Sequence, residues 1–280
     1  MNNIVIVRGG GDLASGTILK LHRSGFQVLV LEVSNPSCIR RTVSFGEAVH
    51  EGKMTLEGET AVHVKDLMSI GEAWESGQIP VLVDEHCEIL RHIGPIAVID
   101  AVIAKKNLGT SRSMAPVTIA LGPGFTAGLD VEIVIETMRG HNLGRLIFKG
   151  TAAENTGIPG IIQGHGKDRV IYSKNAGVLT HRKRIGDIVR KGEVIAAIGK
   201  EEVRATIDGV LRGLLREGYE VPEGFKIADI DPRIEEVENC FNISDKANAL
   251  GGAALEALLI GIQRAGYELQ IGKRTAVPWL

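Results

Sequence analysis

Residues Ile4 to Gly16 read IVIVRGGGDLASG. Four β-branched residues run into three glycines, and a helical spacing of apolar residues follows through Ile18, Leu19 and Leu21 to Gly25. Strand, glycine turn and helix in that order present backbone N–H groups to a phosphate. Gly9, Gly11 and Ala14 fit the dinucleotide fingerprint, with Gly10 between the first two. Gly9 allows the tight turn, Gly11 lets a pyrophosphate approach the backbone, and Ala14 lets the helix sit close on the strand. A second strand, Gln27 to Val33, carries Glu32 at its carboxyl end. That is about 20 residues past the turn, where an acidic side chain takes ribose hydroxyls. Arg8 supplies positive charge at the strand end. Asp12 suits a helix start, yet its carboxylate repels an anion.

Further strands and helices alternate after Glu32. Arg40 and Arg41 open a short helix to Glu51 and are read either as partners for a second phosphate or a carboxylate or as a solvated helix start. Met54 to Val64 reads as a strand or a hairpin around Glu57–Gly58, and Asp66 to Ser76 as a helix. Buried strands follow at Pro80 to Asp84, at Ile96 to Val102 with Asp100, and at Val117 to Leu121, which runs into Gly122-Pro123-Gly124-Phe125. Such alternation predicts a Rossmann-like parallel sheet with helices on both faces. Ligands bind such sheets beyond the carboxyl ends of the strands, which gathers Gly9 to Asp12, Glu32, Asp84, Asp100 and Gly122 to Phe125 on one rim. The Asp84 to Glu88 run is read as a solvated stretch, with no metal ligand assigned.

The texture changes near residue 128. Three parts are expected: residues 1–128, the sheet domain; 129–243, a β-rich domain; and 244–280, a C-terminal helix and tail. GDIVRKGEVIAAIG, Gly186 to Gly199, aligns with GYEVPEGFKIADID, Gly218 to Asp231. Two related hairpins around one core resemble the barrel-sandwich fold of biotinyl and lipoyl domains, without their carrier-lysine motif. Ser244 is placed to cap the last helix, whose stripe is Ala247, Leu250, Ala254, Leu258 and Ile262. Gly251, Gly252 and Ala253 permit close approach of another backbone, either in ordinary docking or in a homo-oligomer.

Charged residues make up 24% of the 280 and sum to −2, which gives no basic excess for nucleic acid or an anionic membrane. No apolar run nears the roughly 20 residues of a membrane span, and no signal-peptide pattern precedes the first strand. Cys38, Cys87 and Cys240 are odd in number and widely spaced, so neither a disulfide framework nor a thiolate zinc site is expected. The expected compartment is the cytoplasm.

Several segments together resemble one family: VRGGGDLASG, SNPSCIRRTVSFGEAVHEG, AVIDAVIAKKN, IALGPGFTAG, IETMRGHNLGRLI, NTGIPG and IADIDPR. The chain is similar along nearly its whole length to the accessory proteins of selenium-dependent molybdenum hydroxylases. Its N-terminal half is more distantly similar to xanthine dehydrogenase accessory proteins. The resemblance implies a role in maturing a molybdenum hydroxylase apoenzyme. It also implies handling of molybdenum cofactor (molybdopterin or its cytosine dinucleotide), a nucleotide-containing small molecule. The alternative is an NAD(P)-dependent oxidoreductase, supported by Glu32 but lacking a clear acid or base. A carrier or scaffold role is disfavoured by the missing lysine motif. The expected cofactor-binding residues are Arg8, Gly9, Gly10, Gly11, Asp12, Glu32, Arg40, Arg41, Asp100, Gly122 and Gly124, with no catalytic residue assigned.

Overall fold

The computed structural model describes residues 3–157 and 160–268. They fall into two compact units. The first takes in the described residues up to Pro36, then Phe45–Asn155 and those from Ile243 onward. The second is Ser37–Ser44 together with the described part of Thr156–Asn242. Residues 129–155, expected in the β-rich part, thus join the first unit, as does the last helix.

In chain order the first unit contains β1 (Ile4–Arg8), α1 (Asp12–Arg23), β2 (Gln27–Glu32), α2 (Ala48–Glu51), β3 (Lys53–Leu56), β4 (Glu59–Val64) and α3 (Leu67–Glu75). It continues through β5 (Ile79–Val83), β6 (Ala97–Asp100), β7 (Val117–Leu121), β8 (Thr126–Ala127), β9 (Ile133–Ile135), β10 (Leu146–Ile147), β11 (Gly150–Thr151) and α4 (Asp245–Arg264). Nine strands form one sheet in the order β10-β9-β7-β6-β1-β2-β5-β4-β3. From β9 to β4 all neighbours are parallel. The edges are not: β10 runs antiparallel to β9 and β3 to β4. The expected parallel, Rossmann-like sheet is therefore corrected to a larger, mixed one. Its physical cause at one edge is the turn at Glu57–Gly58, which reverses β3 onto β4. Periodicity alone shows that a strand exists, not which way its neighbour runs.

The central strands are covered on both faces, so their apolar runs are continuous. Val5, Ile6, Val7, Val28, Leu29 and Val30 are wholly buried, each contributing about 1.5–3 kcal/mol relative to exposure. Helix α1 adds Ile18, Leu19 and Leu21, also wholly buried. Asp66 caps α3 by accepting the Ser69 N–H at 2.8 Å in a reciprocal capping box. Ser244 caps α4 by accepting the Ala247 N–H at 3.1 Å.

Helices α1 and α4 meet backbone to backbone. A Cβ on Gly16 would lie 2.1 Å from the Ala247 carbonyl oxygen, and one on Gly251 would lie 2.3 Å from the Gly16 oxygen. The close approach that Gly251 permits is thus made within the chain.

The second unit contains β12 (Val170–Tyr172), β13 (Gly177–His181), β14 (Ile188–Val189), β15 (Val194–Ile198), β16 (Glu201–Arg204), β17 (Gly209–Leu214), β18 (Glu220–Val221) and β19 (Lys226–Asp231). They make two four-stranded sheets, β12-β19-β17-β14 and β16-β15-β13-β18. Leu179, Ile195, Ile198, Leu211, Leu214, Ile227 and Ile230 share one core. The two aligned segments each give a short strand, a glycine turn and a longer strand. Each short strand pairs across to the other half, β14 with β17 and β18 with β13, and each longer strand pairs within its own, β15 with β13 and β19 with β17. Two four-stranded antiparallel sheets stand in place of the expected barrel-sandwich repeat, because a local pattern sets strands and turns, not the sheets they join.

Candidate functional site

The glycine turn after β1 has a closed part and an open part. Gly9 adopts φ +90°, and a Cβ there would lie 3.0 Å from the Val102 Cα. Both conformation and space require glycine at that position. A Cβ on Gly10 would lie 2.6 Å from the Gly46 nitrogen. The Gly46 N–H donates to the Gly10 oxygen at 2.8 Å, and the Phe45 N–H donates to Ser15 Oγ at 3.0 Å. The Phe45–Gly46 segment therefore lies directly on the turn.

Glu32 completes this closure. Its Oε2 accepts the Gly10 N–H at 2.7 Å and its Oε1 accepts the Val33 N–H at 2.8 Å. Burial pushes its carboxyl above the ordinary glutamate range against those two hydrogen bonds, and Glu47 adds to the rise. A dinucleotide would need the Gly10 N–H for its pyrophosphate and the Glu32 carboxylate for its ribose. Here those two groups are bonded to each other, so the expected arrangement for a nucleotide cofactor does not fit.

Gly11 is the open part. It has ordinary extended geometry, and nothing lies within 4 Å of where its Cβ would be. It begins α1 without any side-chain cap, in contrast to α3 and α4. Asp12 and Lys246 stand in the first turns of α1 and α4, within range of each other's charge. Burial first, then the Arg139 guanidinium, lower the Lys246 pKa, while Asp12, Asp245 and Glu136 oppose that shift.

Arg8 and Asp100 are buried structural partners. Arg8 Nη1 bonds to Thr110 Oγ1 and lies 3.4 Å from Asp100 Oδ2, while Nη2 donates to the Glu85 and Leu108 carbonyls at 3.1 and 3.2 Å. Thr110 Oγ1 donates to Asp100 Oδ2 at 2.5 Å. One guanidinium so ties the end of β6 and the loops after β5 and β6 at the carboxyl end of the sheet. It is used up in that task instead of facing an anion.

Gly122 and Gly124 adopt φ +83° and +105°. A Cβ on Gly122 would lie 2.7 Å from Thr137 Oγ1, and one on Gly124 would lie 2.6 Å from the Lys106 backbone. Gly124 thus admits the 101–107 loop, where Ile103 and Lys105 sit at φ +59° and +62°. A β-branched residue in the left-handed region is strained, and such strain gathers at functional sites. Lys105 and Lys106 on this loop are exposed.

Arg40 and Arg41 belong to the second unit. Arg40 Nη2 donates to the Asn239 and Asn242 carbonyls at 3.0 and 3.2 Å, and Arg41 Nε donates to the Leu214 carbonyl at 2.8 Å. Asp84 accepts the Glu88 and Ile89 N–H groups at 2.9 Å, a local turn cap. Among the described residues no group of three or more His, Cys, Asp and Glu could hold a metal. Ile158 and Pro159 of the NTGIPG segment, and the tail from residue 269, lie outside the described residues. Sequence reasoning missed Lys246. The Ser244 cap located the start of α4, and only tertiary packing brings that start beside Asp12.

No family model matches the chain. A curated relative, an uncharacterized protein YqeB of Escherichia coli (strain K12), is 51% identical over 259 residues, 92% of this chain and 48% of the relative. The chain therefore spans about half the length of the curated relative it matches. Three solved structures are similar. The product-bound ectoine utilization protein EutE (DoeB) from Ruegeria pomeroyi has 13% identity and a TM-score of 0.23, covering 81% of this chain and 56% of that one. A succinylglutamate desuccinylase from Silicibacter has 12% identity and a TM-score of 0.26, covering 81% and 84%. An aspartoacylase family protein from Mesorhizobium loti has 14% identity and a TM-score of 0.24, covering 82% and 84%. At these scores the likenesses carry no argument about this chain's chemistry. None of these proteins is described as a molybdenum hydroxylase accessory protein or a nicotinamide-dependent oxidoreductase. Those expectations are corrected accordingly: the relative has no named activity, and the structural neighbours are of the ectoine-utilization, desuccinylase and aspartoacylase kind.

Proposed function

We propose that the first unit binds a small molecule bearing a phosphate or carboxylate group at the carboxyl end of its sheet. The anionic group is received by the backbone at Gly11 and the first turn of α1. The N-terminal end of a helix carries partial positive charge and N–H groups that lack intrahelical partners. Lys105 and Lys106 leave the same rim on the strained loop next to Gly9. One observation carries the reading: Gly11 is open and uncapped while the backbone around it is closed by Glu32 and Gly46. Asp12 is offset by the neighbouring Lys246 charge.

The variant Gly11→Asp tests it. The geometry of Gly11 suits any residue, and an aspartate at a helix cap stabilises by a few tenths of a kcal/mol over glycine. The same carboxylate would fill the anion position. Thermal-shift titration with inorganic pyrophosphate and with a dicarboxylate such as succinate is the measurement. Ligand at 100 times its dissociation constant stabilises the native protein by about 2.7 kcal/mol. The expected result is a shift in the parent chain that Gly11→Asp abolishes without loss of basal stability. An equal shift in both proteins, or none in either, overturns the reading.

A further inference from the structure

The second unit holds a guanidinium group without an acceptor. Arg212 lies on β17 where the pairing with β19 slips: Leu211 faces Ile230, Gly213 faces Asp229, and Arg212 is the extra residue between them. Bulges of this kind re-aim one side chain and recur beside binding sites. The Arg212 side chain is 16% exposed and makes no hydrogen bond among the described residues; its Nε is buried without a partner. The carboxylates nearest to it are committed elsewhere. Asp229 Oδ1 accepts from Arg169 Nη1 at 2.5 Å. Asp231 accepts from Arg233 Nε at 2.9 Å and Nη2 at 2.7 Å. Arg212 stands off at 3.8 Å from Asp229 and 3.7 Å from Asp231, beyond hydrogen-bond reach.

A second cation lies close by. The Ser37–Ser44 segment runs against the end of β17, where the Leu214 N–H donates to the Ile39 carbonyl at 2.9 Å. This brings in Arg40, and the buried Cys240 thiol lies within range of the charges of both Arg40 and Arg212. Arg169, Arg212 and Arg233 share the carboxylates of Asp229 and Asp231, and Arg233 also reaches Glu236. A buried charged donor without an acceptor carries a large desolvation penalty. A planar fork of N–H groups is matched by two oxygens of one oxyanion.

We propose that the second unit contains an oxyanion site, with Arg212 as the donating residue and Arg40 as the supporting charge, for a phosphate, sulfate or carboxylate group. It is independent of the reading of the glycine turn. The test is isothermal titration of the full chain carrying Gly11→Asp, which removes the first unit's contribution. Sodium phosphate, sodium sulfate and sodium acetate are titrated separately at matched ionic strength. Saturable binding of at least one anion is expected, and the three arms distinguish tetrahedral from planar ligands. Adding Arg212→Gln should weaken that binding at least tenfold, and adding Arg212→Lys, which keeps charge without the fork, should weaken it less. Circular dichroism confirms folding, and if Arg212→Gln fails to fold, Arg212→Lys decides alone by a loss of threefold or more. No saturable binding of any anion, or binding unchanged by substitution at Arg212, overturns the proposal.

Discussion

Arg8 shows how a residue with an apparent functional reading can be structural. Its position at the end of β1 and its charge point to a phosphate, but Asp100, Thr110 and two carbonyls take its donors. Removing one partner of a buried ion pair leaves the other uncompensated, at about 3–5 kcal/mol. Arg8→Met is expected to lose that much in urea denaturation, and the double variant Arg8→Met, Asp100→Leu is expected to recover part of it. Glu32 gives a pH signature. Its folded-state pKa is raised, so the folded protein holds the proton more tightly than the unfolded chain. This contribution is fully present below the unfolded glutamate value and is lost as pH rises through the higher folded value. Unfolding free energies measured across that window should fall with pH in the parent and lose that part of the slope in Glu32→Gln. Lys105 is exposed at φ +62°. Lys105→Gly should therefore relieve about 1 kcal/mol of backbone strain and raise the melting temperature, while weakening pyrophosphate binding.

The α1–α4 contact is the element whose sequence signal is clearest after the fact. Gly251 and Gly252 are adjacent and both helical, yet only Gly251 faces another backbone. A methyl group at Gly16 or Gly251 has no space and should cost on the order of 1–3 kcal/mol through overpacking. Gly252 is exposed with open space around it, so Gly252→Ala should instead stabilise by about 0.5–1 kcal/mol. Denaturation of Gly16→Ala, Gly251→Ala and Gly252→Ala side by side checks the sign at each position. The same limit holds for the glycine turn. The strand, turn and helix were legible from residue spacing, but the occupant of the Gly10 N–H was not. Glu32 reaches that donor from the next strand, and Gly46 covers it from a segment further on.

The whole molecule is built from a chain that leaves its first unit twice. The short excursion, Ser37–Ser44, matters more than its length implies. It supplies the Ile39 carbonyl to Leu214, packs Ile39 on Gly213, and places Arg40, Arg41 and Thr42 on the carbonyls of Asn239, Asn242, Leu214 and Cys240. A fragment of residues 156–242 should consequently be unstable by circular dichroism, and a synthetic peptide covering residues 35–46 should restore its melting transition. Stability of the fragment without the peptide would contradict this account. No described helix is long and apolar enough to cross a membrane.

The residue order alone determined what depends on a few neighbouring positions. It located β1 and α1, a strand or hairpin around Glu57–Gly58, the Asp66 to Ser76 helix and the Ser244 cap, because periodicity, turn geometry and capping act over one or two turns of chain. Tertiary structure alone decided the direction of the edge strands and the transfer of Arg40 and Arg41 to the second unit. It also decided which amide of the glycine turn stays open and which arginine lacks an acceptor. Those outcomes depend on hydrogen-bond partners and van der Waals contacts brought together from distant segments, and no local pattern encodes them.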